Sequence, residues 1–244
     1  MCLGSSASFE RFCHDHEVDL RGLFFRLAFL YARIYGFFSY HRKKERREEI
    51  AGKLDYFLAG QWNPVQREKV VRHIFELRGA RKIQRYVIPW MDAGFIRKFV
   101  EVDGLGNVDR VLQSGRGIVL MTAHFGNPHM GFNALRVMGY DVAVIKGGLP
   151  REFKPRRYRY VDGIKETIFV GDPSLAQQYK ERILETLRSG KMIAHYGDAK
   201  EGRLKENVYF LGREMAFPTG MIHLAHQSNA AVIPFIHLYH RGKI

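Results

Sequence analysis

Ile118-Val119-Leu120-Met121-Thr122-Ala123-His124-Phe125-Gly126-Asn127-Pro128-His129 is the stretch on which the reading of this chain turns. An apolar, β-branched run, with Gly115-Arg116-Gly117 before it and Gly126-Asn127 after it, predicts a buried strand that delivers His124 to its C-terminal end. Strand ends of that kind form the ligand-binding edge of open α/β sheets. A lone histidine at a strand end is more often structural than catalytic, but the neighbours of this one set it apart. Gly126 permits a sharp turn or close approach of a ligand, Asn127 offers both a donor and an acceptor, and imidazole titrates near neutrality, where proton transfer is most effective.

The pattern extends in both directions. Val108-Asp109-Arg110-Val111-Leu112 leads into the strand, Ala134 to Met138 continues a helix after it, and Asp141-Val142-Ala143-Val144-Ile145 reads as the next parallel strand. This β-α-β alternation, with no internal repeat or low-complexity linker, predicts a single α/β domain with a central, mostly parallel sheet flanked by helices. Upstream, Asn63-Pro64-Val65 followed by Val70, Val71, Ile74, Phe75 and Leu77 predicts a capped amphipathic helix. Further helical segments run from Ile83 to Trp90 and from Phe95 to Val100.

Thr122-Ala123-His124-Phe125-Gly126-Asn127 resembles the His-x4-acid motif of the lysophospholipid acyltransferase superfamily, in its lipid A late acyltransferase branch, which writes it His-Phe-Gly-Asn-Trp-Glu. The resemblance continues in collinear order. Leu187 to Asp198 resembles that family's second helix-to-strand unit, with Ala199 where glutamine is typical. Val208-Tyr209-Phe210-Leu211-Gly212-Arg213-Glu214 and Ala216 to Gly220 resemble its Phe-Phe-Gly turn and the helix opening after it. Ala230-Ala231-Val232-Ile233-Pro234 resembles the strand that follows. The departure lies in the motif itself: Pro128 stands where the branch has tryptophan, and His129 where it has the carboxylate.

The resemblance implies transfer of an acyl group from a thioester, on acyl carrier protein or coenzyme A, to a hydroxyl of lipid A or a related glycolipid. It implies no metal or redox cofactor. His124 would be the general base, and Gly126 and Asn127 would contact substrate. The motif acid would hold the imidazole in one tautomer and stabilise its protonated form. A protonated His129 would instead repel the imidazolium at His124. Two readings follow. Another carboxylate, from Asp198, Asp162 or Glu166, reaches His124, or the chain is an impaired relative acting as a membrane-bound scaffold. A metal held by His124, His129 and Asp198 has suitable ligand types but no close-spaced ligand pair. Trp90, Met91, Phe95 and Phe99 either line an acyl-chain pocket or are plain core.

A net charge of +14 points to a polyanionic partner. The N-terminal segment narrows the choice. Leu20 to Tyr40 is dense in Phe, Leu and Tyr, with Arg26 and Arg33 seven positions apart on one helical face. That suits a helix lying in a membrane interface; two arginines inside a transmembrane span would each cost about 2.5–3.5 kcal/mol. A core helix is the alternative. His41-Arg42-Lys43-Lys44-Glu45-Arg46-Arg47 beside it favours an anionic lipid surface on the cytoplasmic face of the inner membrane, held peripherally or monotopically. Glu10, Asp15, Glu17 and Asp19 argue against a cleaved signal peptide. Cys2 and Cys13 lack metal spacing and imply no disulfide framework. Residues 1–47 thus form an anchoring segment and 48–244 the acyltransferase domain.

Past the second strand, Gly147-Gly148, Lys154, Arg156, Arg157 and Arg159 place a positive loop at the same sheet edge. Arg157 or Arg159 is the candidate for gripping a phosphate of lipid A or of the acyl donor. Tyr158 and Tyr160 among these arginines are the basis of the rival reading, a nucleic-acid-binding protein; no nucleic-acid motif accompanies them. Phe235 to His240 reads as a strand and Arg241-Gly242-Lys243 as its turn, so that the domain is expected to be truncated at its C-terminal end.

Overall fold

The computed structural model describes residues 20–58, 61–126, 128–147, 166–170, 172–198 and 204–238. Three long helices come first: α1 (Leu20–Arg42), α2 (Lys44–Leu58) and α3 (Pro64–Val87). A 3-10 turn (Ile88–Trp90), α4 (Ala93–Phe99) and α5 (Leu105–Gln113) lead to β1 (Ile118–Thr122), α6 (Pro128–Val137), β2 (Val142–Lys146) and β3 (Glu166–Phe169). Next come α7 (Ala176–Arg188), β4 (Met192–Tyr196), a ribbon of β5 (Lys205–Phe210) and β6 (Arg213–Pro218), α8 (Gly220–Gln227) and β7 (Ala231–Pro234).

Five strands form one sheet in the order β3-β2-β4-β1-β7, every pairing parallel. The short apolar strands carry alternate residues to opposite faces. Ile118, Leu120, Val142, Val144, Met192 and Ala194 pack under α5 and α6 with Phe132 and Leu135. Val119, Ala143 and Ile193 pack under α7 and α8 with Ile183, Leu187 and Met221. Covering both faces is why these strands read as continuous hydrophobic runs rather than alternating ones. The expected α/β architecture is present. The strand expected over Ala230 to Pro234 is β7, whereas the strand expected over Phe235 to His240 is not formed at 235–238, where the chain is irregular; 239 and 240 lie outside the described residues. Pro234 lacks the N–H that a longer ladder would need, although the Phe235 N–H still donates to the Met121 carbonyl at 2.8 Å. The turn expected at 241–243 lies outside the described residues.

The helical layer follows from local chemistry. Asn63 and Gln66 cap α3 reciprocally, each side-chain oxygen accepting the other's backbone N–H at 2.8 and 3.0 Å, with Pro64 opening the helix. Against α3, α1 buries Ala32, Gly36, Ser39 and Tyr40. A Cβ at Gly79 would lie 2.1 Å from the Ala32 carbonyl oxygen, so the two helices touch backbone to backbone there. The core-helix reading therefore holds for this face. The opposite face exposes Leu23, Leu27, Leu30, Ile34 and Phe37 along one side, and Arg26 and Arg33 are exposed as well. Among the described residues no helix is long and apolar enough to cross a membrane.

The basic cluster brackets the α1–α2 junction, and part of it is engaged within the chain. Lys44 pairs with Glu48 at 3.8 Å, Arg46 with Glu49, and Arg47 lies over the Tyr40 ring at 5.0 Å. Exposed pairs of this kind contribute little to stability and are readily exchanged for other partners.

Candidate active site

The last register pair between β1 and β4 is Thr122 with Tyr196, and the Gly197 N–H donates to the Thr122 carbonyl at 2.8 Å. Two residues past that pair stand His124 on one strand and Asp198 on its neighbour. Asp198 holds the histidine twice. Its Oδ2 accepts the His124 backbone N–H at 2.8 Å and its Oδ1 lies 2.9 Å from Nδ1. An ionised carboxylate only accepts, so Nδ1 carries the hydrogen and Nε2 is left with its lone pair. The His124 side chain is 57% exposed, which leaves the ring open to an incoming hydroxyl.

The ring is also held from the side. Tyr196 stacks on it, with centroids 4.4 Å apart and planes inclined by 25°. Gly126 has φ +61°, and a Cβ there would sit 2.0 Å from the His237 carbonyl oxygen, so only glycine fits the turn that follows His124. Burial pushes the His237 imidazole down to about 4. His195, inside β4, is likewise pushed down by burial, partly offset by the negative charge of Asp198.

A model of bacterial lipid A biosynthesis acyltransferases matches residues 25–243. The chain belongs to this family. Over 95 residues, 39% of the chain, it is 30% identical to the lipid A biosynthesis palmitoleoyltransferase of Escherichia coli (strain K12). The same figures hold for the lipid A biosynthesis acyltransferase of Shigella flexneri. The matched segment spans 30% of the length of each of these relatives.

Within this acyltransferase family member, the residues expected at the site are distributed as follows. Asp198, one of three carboxylates considered, is the one on His124. Glu166 opens β3, in register with Ala143 near the start of β2. It therefore lies at the opposite end of the sheet from His124, with two strands, β2 and β4, between them, which rules it out as the orienting acid. His129, at the motif's acid position, sits in the first turn of α6, edge-on to Phe132 and 6.3 Å from Tyr196 between ring centroids. The motif position and the orienting position are thus different places in this molecule. Asn127, Arg157, Arg159 and Asp162 fall outside the described residues; the basic loop leaves the sheet at the C-terminal end of β2, on the edge that carries His124. Among the described residues no three His, Cys, Asp or Glu side chains are grouped to hold a metal ion.

Met91, Phe95 and Phe99 belong to a core cluster with Val87, Ile88, Ile96, Met130 and Ala134, so they are core rather than the walls of a pocket. The Trp90 side chain lies outside the described residues. A cavity of about 660 Å³ opens instead between the chain at 100–108, α6 and the segment after β7. Gly131 and His237 line it, and His237 is also the residue that seats Gly126. Tyr196 and His237 were not anticipated. Tyr196 could have been found from its place two residues before Asp198, whereas nothing local marks His237.

Proposed function

We propose that this protein moves a fatty acyl group from a thioester, on acyl carrier protein or coenzyme A, to a hydroxyl of lipid A or a related membrane glycolipid. The observation that carries the reading is the 2.9 Å contact between His124 Nδ1 and Asp198 Oδ1, together with the backbone bond to the same carboxylate. With Nδ1–H turned to Asp198, Nε2 accepts the proton of the acceptor hydroxyl as its oxygen attacks the thioester carbonyl. The imidazolium that forms is stabilised by the Asp198 carboxylate. Collapse of the tetrahedral intermediate breaks the carbon–sulfur bond, and the departing thiolate takes the proton back from Nε2. Gly126 and Asn127 supply donors to the carbonyl oxygen as it gains charge, and Arg157 or Arg159 grips a phosphate of acceptor or donor. No metal takes part.

The replaced motif acid was the ground for reading the chain as an impaired scaffold. An acid on Nδ1 from the neighbouring strand supports the active reading over that one. Support for a peripheral or monotopic position on the cytoplasmic face of the inner membrane comes from the outward apolar row of α1 beside the basic cluster. Tyr158 and Tyr160, the basis of the nucleic-acid reading, lie outside the described residues.

The deciding experiment compares membrane glycolipids by mass spectrometry in cells with the gene, without it, and with His124→Ala. Loss of one acyl chain in the last two strains alike is the expected result. Unchanged glycolipids in all three, with purified wild-type protein inert toward acyl thioesters, would overturn the reading.

A further inference from the structure

Among the described residues, the ribbon of β5 and β6 is thinly covered. All six residues of β5 are exposed, and at the tip Val208, Tyr209, Phe210 and Leu211 are 43, 82, 47 and 50% exposed. A two-stranded ribbon alone is at best marginally stable in water and has no folding reason to end in apolar side chains. Its turn makes the point more sharply. Leu211 (φ +50°) and Gly212 (φ +76°) are both left-handed, as a type I′ hairpin turn requires. Asn or Asp is the favoured first residue of such a turn, and a leucine there is strained. A residue that breaks the local rule at an exposed position is placed there for something other than the fold.

We propose that this tip enters a lipid bilayer and aims the active edge of the sheet at it. The ribbon leaves the sheet shortly after Asp198, so it rises from the edge that carries His124. It is braced rather than loose. The Arg213 guanidinium lies 3.8 Å from the centroid of the Tyr56 ring on α2, and its Nε–H donates to the Tyr56 carbonyl at 2.9 Å. A convex apolar tip inserts; it offers no groove to receive a peptide. A chain of net charge +14 is drawn to anionic lipid, and an aromatic residue beside a leucine is the pairing that settles at the headgroup boundary. This inference rests on the acceptor being a membrane glycolipid, and it adds a contact separate from α1.

The test uses Leu211→Asn and phosphatidylglycerol-containing vesicles. Asparagine suits the turn, so the melting temperature stays level or rises, while vesicle affinity falls about five- to tenfold as one buried apolar side chain is lost. A second measurement does not depend on how tightly α1 binds. With Cys2 and Cys13 changed to serine and Leu211→Cys carrying an environment-sensitive fluorophore, emission shifts blue on vesicles and is quenched by lipids labelled at shallow acyl positions. Emission unchanged on vesicles that the protein still binds would overturn the proposal, as would an affinity equal to wild type. A change in oligomeric state at Leu211→Asn with vesicle binding intact would overturn it in favour of a second copy. The fluorophore reports contact without turnover. A tip that enters vesicles while the glycolipids show no missing acyl chain overturns the acyl-transfer reading alone. A dry tip on a protein that acylates its acceptor overturns this one alone.

Discussion

Asp198 accepts from His124 at two points, and the two bonds do different things. The one to the backbone N–H fixes where the residue sits, and the one to Nδ1 fixes which nitrogen holds the proton. Asp198→Asn keeps a side chain of the same shape but can present an N–H to Nδ1, which stabilises the wrong tautomer. Acyl transfer should then fall on the order of 10²–10⁴-fold in kcat with little change in melting temperature, because the pair is partly exposed and contributes little to stability. His129→Ala should cost much less than Asp198→Asn. A large loss at His129→Ala with little at Asp198→Asn, measured side by side on the same acyl thioester, would mean that His129 and not Asp198 orients the base. His124 at its strand end was legible in the sequence because glycine and an apolar run frame it. That Asp198 orients it was not legible, since three acids were chemically equivalent until the strand order was known.

Among the elements, α1 and α3 show how tightly the helical layer is set. Gly79 meets the Ala32 carbonyl with no room for a side chain, and a Cβ at Gly36 would lie 2.7 Å from the Glu76 Cα. Gly79→Ala therefore forces the helices apart. The gain in helix propensity, about 1 kcal/mol, is outweighed by overpacking of about 1–3 kcal/mol and by looser packing along the rest of the crossing. Urea denaturation should show a net loss, and limited proteolysis should cut within α1 earlier than in wild type. Unchanged stability would mean that α1 is docked elsewhere in solution. The helices themselves were legible from Asn63-Pro64 and the apolar spacing after it. The crossing was not, because a glycine within a helix signals close approach only once the partner helix is known. The insertion of β4 between β1 and β2 was hidden for a similar reason: alternation reveals that strands are parallel, not which are neighbours.

Across the molecule, a buried histidine, His237, and a half-buried one, His195, tie stability to pH. His237 in the folded state titrates at about 4, below the value near 6.5 of a free histidine. The unfolded chain therefore binds its proton first as pH falls. Stability from this residue is complete above about pH 6.5 and is lost between there and pH 4, on the order of 3 kcal/mol in all. His195 acts in the same direction. Denaturant midpoints at pH 7.5 and 4.5 should differ less in His237→Gln than in wild type, since carboxylate titration is common to both. Equal differences would show that burial does not lower the His237 pKa in the folded state.

Asp198 and His124 are 74 positions apart in the chain. An acid five residues after the histidine would meet it through one local turn, formed early and cheaply in a folding chain. Here the meeting waits on closure of a long loop and on β4 settling between two strands that precede it in sequence. A chain arrested with its helices formed and its strands unpaired holds the histidine without its orienting acid. During synthesis, a nascent chain that has not yet reached residue 198 is in the same position. The geometry on which the proposed catalysis rests is in this way a property of the assembled sheet, withheld from every partly folded form of the protein.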